Sequence, residues 1–210
     1  MPDRMDDPDR MNDEVVRYSF SERLCHWLNA ATYCYCLATG LAFYTPHLFW
    51  MAVMLGGGAT SRYWHPVVGL AFALAAIWMH RTWISHMHIT AVDREWLRKS
   101  KAYATNDDAQ VPDQGRFNAG QKVFFHAMFY GAAALLLSGV AVWFPERIPA
   151  WLRGSAILLH EAAALVTIGA FIVHLYMGIF VVPGSMAAIL HGRVSRRWAA
   201  AHHRLWLKSQ

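Results

Sequence analysis

One stretch of this chain restricts its fold more than any other, the apolar segment from Leu158 to Val182. It is long enough to cross a bilayer, and it carries His160 and His174. Fourteen α-helical steps place the second histidine within about 40° of the first and about 21 Å further along the axis. Histidine inside a membrane span is costly and indicates function. The spacing therefore predicts one helix face with two stacked metal centres; the alternative is two polar contacts between helices.

The composition favours a small integral membrane protein. Of 210 residues, 56% are hydrophobic and only 16% charged, with a mean hydropathy of +0.20. Twelve histidines are many for this length, and metal or haem ligation is the first explanation to test. The three cysteines form no C-x-x-C-H motif, so covalent c-type haem is not indicated. The net charge of +5 comes from basic residues that flank apolar spans, which indicates membrane topology rather than nucleic-acid binding.

We predict an all-α membrane protein in which four transmembrane helices form a bundle. The expected spans are residues 24–44, 65–84, 122–144 and 157–182. The His65-Pro66 pair suits the first turn of the second span, and Pro145 stops the third. A short interfacial helix can lie between Pro46 and Gly56. The expected domains are a disordered acidic tail (1–16), the membrane domain (17–190) and a basic tail at the membrane surface (191–210).

Lysine and arginine residues orient these spans, because they accumulate in cytoplasmic segments. Between spans 1 and 2 there is only Arg62, and between spans 3 and 4 only Arg147 and Arg153. The N-terminal segment, the loop between spans 2 and 3 and the C-terminal tail hold most of the others: Arg4, Arg10, Arg17, Arg23, Arg94, Arg98, Lys99, Lys101, Arg116, Lys122, Arg193, Arg196, Arg197, Arg204 and Lys208. We therefore expect both termini and the long loop to face the cytoplasm.

This topology sorts four histidines into two pairs by depth. His65 and His160 begin the spans that run inwards, so they lie near the outer surface, whereas His26 and His174 lie near the inner surface. Two neutral imidazoles that face each other across a helical bundle can hold an iron porphyrin through both axial positions. Zinc or copper is less well supported, since either would need three or four ligands at one place. We assign no role to His47, His80 or His126, and expect His202 and His203 to be interfacial.

Five glycines within or near the spans offer helix surfaces without side chains, which a macrocycle needs; the alternative is close helix packing. These residues are Gly40, Gly69, Gly139, Gly169 and Gly178.

The turn into the third span is a second candidate site. Asn118 and Gln121 offer amide groups, and Gly120 allows close approach. The turn lies at the depth of the inner histidine pair, where a quinone head group has access to lipid and to cytoplasmic protons. The alternative is that Asn118 and Gln121 cap the helix.

The chain after about residue 15 resembles the cytochrome b (gamma) subunit of membrane-bound respiratory formate dehydrogenases. The resemblance rests on RLCHW (23–27), HPVVG (65–69), GRFNAGQK (115–122), HLYMG (174–178) and GRVSRRWAAAHH (192–203). The histidine pattern alone is shared with cytochromes that serve hydrogenases and thiosulfate reductases. The NAGQK and VSRRWA segments are the narrower markers.

The resemblance implies two b-type haems, the outer one bound by His65 and His160 and the inner one by His26 and His174. It implies a quinone site at Asn118, Gly120, Gln121 and His174. The implied partners are an iron–sulfur beta subunit and a catalytic alpha subunit with molybdenum or tungsten. Formate is then oxidised outside this chain, and menaquinone or ubiquinone is reduced near the cytoplasmic side of the bacterial inner membrane.

Three other interpretations remain open. The partner can be a hydrogenase or another molybdoenzyme. The chain can be a stand-alone b561-type cytochrome that takes electrons from quinol or superoxide. It can also be a non-redox anchor or small transporter that uses histidine for packing or for proton transfer.

Overall fold

The computed structural model describes residues 13–105 and 110–210, and helices dominate them. Four helices are long: α1 (Phe20–Tyr44), α3 (Gly58–Trp83), α6 (Ala119–Trp143) and α7 (Ala150–Tyr176). Shorter α-helices are α2 (Trp50–Met54), α4 (Ala91–Arg98), α5 (Ser100–Ala104), α8 (Ser185–His191), α9 (Arg196–His202) and α10 (Arg204–Leu207). Single 3₁₀ turns occupy Pro46–Leu48, Ile84–His86 and Pro145–Arg147, and a π-helical turn, Met177–Val181, follows α7.

Three of the described helices are long and apolar enough to cross a membrane. They are Gly58–His86, Ala119–Trp143 and Ala150–Val181, and they contain the second, third and fourth predicted spans almost completely. The first long helix, α1, has 25 residues but is not among them. Its first turn carries Glu22 and Arg23, and Asn29, Thr32 and Thr39 follow. Its role as a fourth span therefore stays a prediction.

The second span begins seven residues earlier than predicted, so the placement of Pro66 in its first turn was wrong. Pro66 lies inside α3. The helix starts at Gly58 because Gly56 and Gly57 both have a φ of +93°, a conformation that L side chains rarely adopt. Their turn separates α2 from α3, which begins at the next residue. The short helix predicted for this loop is confirmed by α2.

The chain divides into two compact units. The bundle unit comprises residues 24–82 and 126–172, and the terminal unit comprises the described residues of 13–23, 83–125 and 173–210.

The core of the bundle unit draws on all four long helices. Buried Tyr33, Phe72 and Ala132 come from α1, α3 and α6, and Phe171 of α7 packs against them. The rings of Tyr33 and Phe171 have centroids 5.1 Å apart. A Cβ atom added to Gly131 would lie 2.3 Å from Cγ2 of Thr167. This glycine therefore sets how closely α6 and α7 approach, which is the small-residue packing expected of membrane helices.

The terminal unit contains a two-stranded antiparallel sheet of β1 (Glu14–Val16) and β2 (Arg193–Ser195). Val15 pairs with Val194, and both are buried against Ala199 and Trp206. The predicted disordered tail of residues 1–16 is therefore wrong for residues 14–16, because two β-branched residues find a partner strand at the far end of the chain. Residues 1–12 of that tail lie outside the described residues.

The basic C-terminal segment is a folded part of the terminal unit. Trp206 is buried, and the backbone N–H of Leu205 donates to the carbonyl of Gln114 at 3.0 Å. His203, expected at an interface, is 1% exposed, and its Nδ1 lies 2.8 Å from the carbonyl oxygen of Gly115. The segment thus holds the loop that leads into α6. Its position at the membrane surface stays a prediction.

The burial of His203 predicts acid sensitivity. Burial, and then the nearby Arg17 guanidinium, lower the pKa of His203 to about 3. In the unfolded chain the pKa is about 6.5. Between these values the unfolded state holds more protons, so stability is lost as the pH falls below about 6.5. We expect His203 to lower the free energy of unfolding by about 2 kcal/mol between pH 7 and pH 5.

Thermal unfolding of the solubilised protein at both pH values measures this loss. His203→Gln, which has no proton to gain, should reduce the difference between the two pH values. An unchanged pH dependence in that variant would assign the effect to other groups.

Candidate functional site

The predicted outer histidines lie close together in the bundle unit. His65 is on α3 and His160 on α7, and their ring centroids are 6.3 Å apart with planes inclined at 62°. A histidine nitrogen binds a transition metal at about 2 Å, so two imidazoles on opposite sides of one metal have ring centres roughly 6 Å apart. The separation of the two ring centroids therefore fits one haem iron that both histidines would hold.

A hydroxyl group from each of the other two long helices contacts these rings. Oγ1 of Thr39 on α1 lies 2.7 Å from Nδ1 of His65. Oγ of Ser138 on α6 lies 3.0 Å from Nδ1 of His160. Each of the four long helices thus contributes one polar side chain to the arrangement. Sequence reasoning missed Thr39 and Ser138.

The glycines divide into two groups. Cβ atoms added to Gly40 and Gly139 would lie 3.5 Å and 3.2 Å from Cε1 of His65 and His160, so these two glycines make room for the imidazole rings. A Cβ atom added to Gly69 or Gly169 would meet no other atom within 4 Å, and the same holds for Gly178 in the terminal unit. Open space therefore lies beside these three glycines, and their use by a macrocycle stays a prediction.

The predicted inner histidines fall in different units. In the bundle unit, the His26 ring meets the Trp27 ring edge to face, with centroids 5.2 Å apart. In the terminal unit, His174 stacks on Phe124, with centroids 4.4 Å apart and planes 7° apart. The π-helical turn Met177–Val181 follows His174 closely. The pairing of His26 with His174 stays a prediction.

The turn into α6 forms a reciprocal cap. The backbone N–H of Asn118 donates to Oε1 of Gln121 at 3.0 Å, and that of Gln121 donates to Oδ1 of Asn118 at 2.9 Å. Nδ2 of buried Asn118 also donates to the hydroxyl of Tyr103 at 3.2 Å. A Cβ atom added to Gly120 would lie 3.2 Å from the Trp96 ring. Capping thus accounts for the side-chain amide oxygens of Asn118 and Gln121. Gly120 leaves room for the Trp96 ring.

Phe124 connects this turn to His174, and sequence reasoning missed it. It lies three residues beyond Gln121, so the two share one face of α6. All four predicted quinone-site residues, Asn118, Gly120, Gln121 and His174, belong to the terminal unit. The unit therefore groups amide, aromatic and imidazole side chains around the start of α6.

A buried ion pair fixes the start of α6. Nζ of Lys122 lies 2.8 Å and 3.0 Å from the two carboxylate oxygens of Asp93, and it donates to the carbonyl of His88 at 3.1 Å. Asp93 and Lys122 are 2% and 9% exposed. Burial alone would raise the pKa of Asp93, but donation by Lys122 and Thr90 outweighs it, so this pKa lies below its usual value. The Thr90-x-x-Asp93 capping box was the available sequence signal.

Comparison with known proteins identifies the family. The family model for prokaryotic cytochrome b561 matches residues 17–192. The chain is 34% identical to the cytochrome b556(fdo) subunit of formate dehydrogenase from Escherichia coli (strain K12), over 95% of this chain and 94% of that protein. It is 32% identical to the cytochrome b556(Fdn) subunit of the nitrate-inducible formate dehydrogenase of the same strain, over 92% and 90%. It is 29% identical to a formate dehydrogenase cytochrome b556 subunit from Haemophilus influenzae, over 93% and 83%. The chain therefore belongs to the prokaryotic cytochrome b561 family, whose members are membrane cytochromes with b-type haem.

Proposed function

We propose that this chain is the membrane-anchor cytochrome b subunit of a formate dehydrogenase. In this proposal it accepts electrons from an iron–sulfur subunit on the periplasmic side and passes them to a quinone near the cytoplasmic side. Formate is oxidised in a separate molybdenum or tungsten subunit. Relatives at 32% and 34% identity, matched over at least nine-tenths of both chains, support the assignment.

One observation carries the proposal, the facing pair of His65 and His160. Haem b held by this pair would supply one-electron transfer, and bis-histidine ligation leaves no open position for oxygen. The two imidazoles would hold the iron from their helices, while Gly69 and Gly169 leave open space in the same unit. Haem ligation explains why His65 and His160 occur in helices that are otherwise apolar.

The second haem and the topology extend this proposal. We assign His26 and His174 to an inner haem and α1 to the first of four spans, within a membrane domain of residues 17–190. Both termini then face the cytoplasm, and the complex lies in the bacterial inner membrane. Support comes from the distribution of lysine and arginine, and from the match of the family model to residues 17–192.

We place the quinone beside the start of α6. Asn118 uses Oδ1 for the cap and one N–H of Nδ2 for Tyr103, so its second N–H stays available to a ligand carbonyl. The amide nitrogen of Gln121 is a further donor. Phe124, already stacked on His174, offers an aromatic surface to a flat ring. Gly120 contributes by positioning the turn against Trp96 rather than by direct contact.

Purification of the chain with its native partners tests this function. We expect a reducible b-type absorption band, two haems per chain and reduction of that band by added formate. A chain without haem would overturn the cytochrome assignment. A complex reduced by hydrogen but not by formate would replace the formate dehydrogenase with a hydrogenase.

The variant Asn118→Asp separates capping from quinone binding. Aspartate accepts the capping bond as well as asparagine does, but it lacks the amide donor. We expect at least about tenfold slower reoxidation of reduced haem by quinone, since an unmatched polar contact costs about 1–3 kcal/mol. Stopped-flow absorbance measures the rate, with haem content as a check on folding.

Thr105→Val is the matched control. Its hydroxyl is exposed and, among the described residues, bonds to the backbone carbonyls of Lys101 and Ala102, so the quinone rate should not change. A normal rate in Asn118→Asp would leave capping as the role of Asn118.

A further inference from the structure

We propose that Thr39 and Ser138 are positioning residues that fix the orientation and the tautomer of the outer haem ligands. Each follows the same design, a hydroxyl residue followed directly by a glycine. The pairs are Thr39-Gly40 on α1 and Ser138-Gly139 on α6. We call each pair a hydroxyl–glycine seat. The inference rests on the proposed function, because it assumes that His65 and His160 bind haem.

The first seat holds His65. Thr39 is 0% exposed, and its Oγ1 lies 2.8 Å from the carbonyl oxygen of Tyr35, one helical turn earlier. A hydroxyl has one proton to donate, and here it goes to that carbonyl. The contact of 2.7 Å between Oγ1 and Nδ1 of His65 therefore uses an oxygen lone pair, and Nδ1 must carry the hydrogen.

The second seat, on α6, holds His160 in the same way. Ser138 is 3% exposed, and its Oγ lies 2.6 Å from the carbonyl oxygen of Ala134. The hydroxyl therefore donates its proton to that carbonyl, and Oγ accepts from Nδ1 of His160 at 3.0 Å. Two unrelated sequence positions thus impose the same tautomer on two histidines that face each other.

The glycine of each seat leaves room for the imidazole ring. Cε1 of His65 lies 3.5 Å from the Cβ position of Gly40, and Cε1 of His160 lies 3.2 Å from that of Gly139. A Cβ atom at Gly139 would crowd the His160 ring, and one at Gly40 would be in van der Waals contact with the His65 ring. The seat therefore fixes each ring on two sides, with the glycine beside Cε1 and the hydroxyl at Nδ1.

The two seats also affect the chemistry of the haem ligands. With the hydrogen on Nδ1, each Nε2 carries the free lone pair that a haem iron needs. Donation from Nδ1–H also raises the basicity of a metal-bound imidazole, which stabilises the oxidised iron. Removal of either acceptor should therefore weaken haem retention and shift the midpoint potential of the outer haem to a more positive value.

Redox titration of the purified complex, with electron paramagnetic resonance of the oxidised haems, tests the seats. In Thr39→Val and Ser138→Ala we expect a positive shift of the outer-haem potential, an altered signal from that haem and an unchanged inner haem. Loss of the outer haem alone also supports the proposal, since loss of such a partner lowers metal affinity by about 10- to 100-fold. Thr39→Ser and Ser138→Thr should restore the wild-type values.

Thr32→Val is the matched control for helix α1. The Thr32 hydroxyl makes the same bond to the carbonyl one turn earlier, at 2.8 Å to Leu28. We expect no change in either haem. Wild-type potentials and spectra in both Thr39→Val and Ser138→Ala would refute the positioning role of Thr39 and Ser138. The proposed function would stay intact. A wild-type complex without haem would instead overturn the proposed function.

Discussion

Replacement of His65 or His160 by alanine is expected to halve the haem content, from two haems per chain to one. Both imidazoles bind the same iron in the proposed arrangement, and their ring centroids are 6.3 Å apart. Loss of either ligand would leave the iron with one protein bond, so the outer haem should be lost. A haem assay with an optical spectrum of the reduced complex measures this. Reduction of the remaining haem by formate should fail, because electrons enter through the outer centre in the proposed path.

Pairing makes this prediction specific. The double variant His65→Ala/His160→Ala should lose no more haem than either single variant, because one centre has already gone. Substitution of His26 or His174 should remove the other haem. His80→Ala is the control: His80 lies on α3 like His65, but its ring stacks on Phe129 at 3.9 Å. Retention of both haems in His65→Ala, or loss of one in His80→Ala, would contradict the proposed ligands.

The sequence predicted that His65 and His160 lie close together, and each step of that prediction used local information. Helical periodicity placed His160 on its span, and the distribution of arginine and lysine gave His65 the same depth. Neither argument needed a contact between distant residues. The structure adds the distance of 6.3 Å between the two ring centroids, which depth alone does not provide.

Thr39 and Ser138 show what such reasoning misses. A threonine followed by a glycine in an apolar helix is ordinary, since hydroxyl residues bond to the preceding turn and glycine allows close packing. The relevant partners lie 26 and 22 residues away along the chain. Only the packing of four helices makes these hydroxyls neighbours of the histidines.

The ends of the chain were predicted least well, for a related reason. A strand of three residues has little signal of its own, and β1 exists because β2 pairs with it across nearly the whole chain. His203 looked like one of several interfacial histidines. Its burial depends on Arg17 and on the carbonyl of Gly115, neither of which is close in sequence.

The second large effect is expected at the start of α6, where Lys122→Met should lower the free energy of unfolding by about 3–5 kcal/mol. Lys122 is buried beside the turn into α6, and its ammonium group bonds to both carboxylate oxygens of Asp93. Methionine fills a similar volume but leaves Asp93, 2% exposed, without its counter-charge. Thermal unfolding of the solubilised protein measures the loss.

Two further variants isolate the cause. Asp93→Asn combined with Lys122→Met removes both charges and should recover much of the lost stability, because the cost arises from an unpaired buried charge. Lys99→Met breaks the exposed pair with Glu95, whose 3.0 Å contact is nearly as short, and should cost less than about 1 kcal/mol. Equal losses in Lys99→Met and Lys122→Met would show that burial of the pair is not what matters. If the double variant is as unstable as Lys122→Met, Lys122 stabilises α6 through its packing and its bond to the carbonyl of His88 rather than through charge.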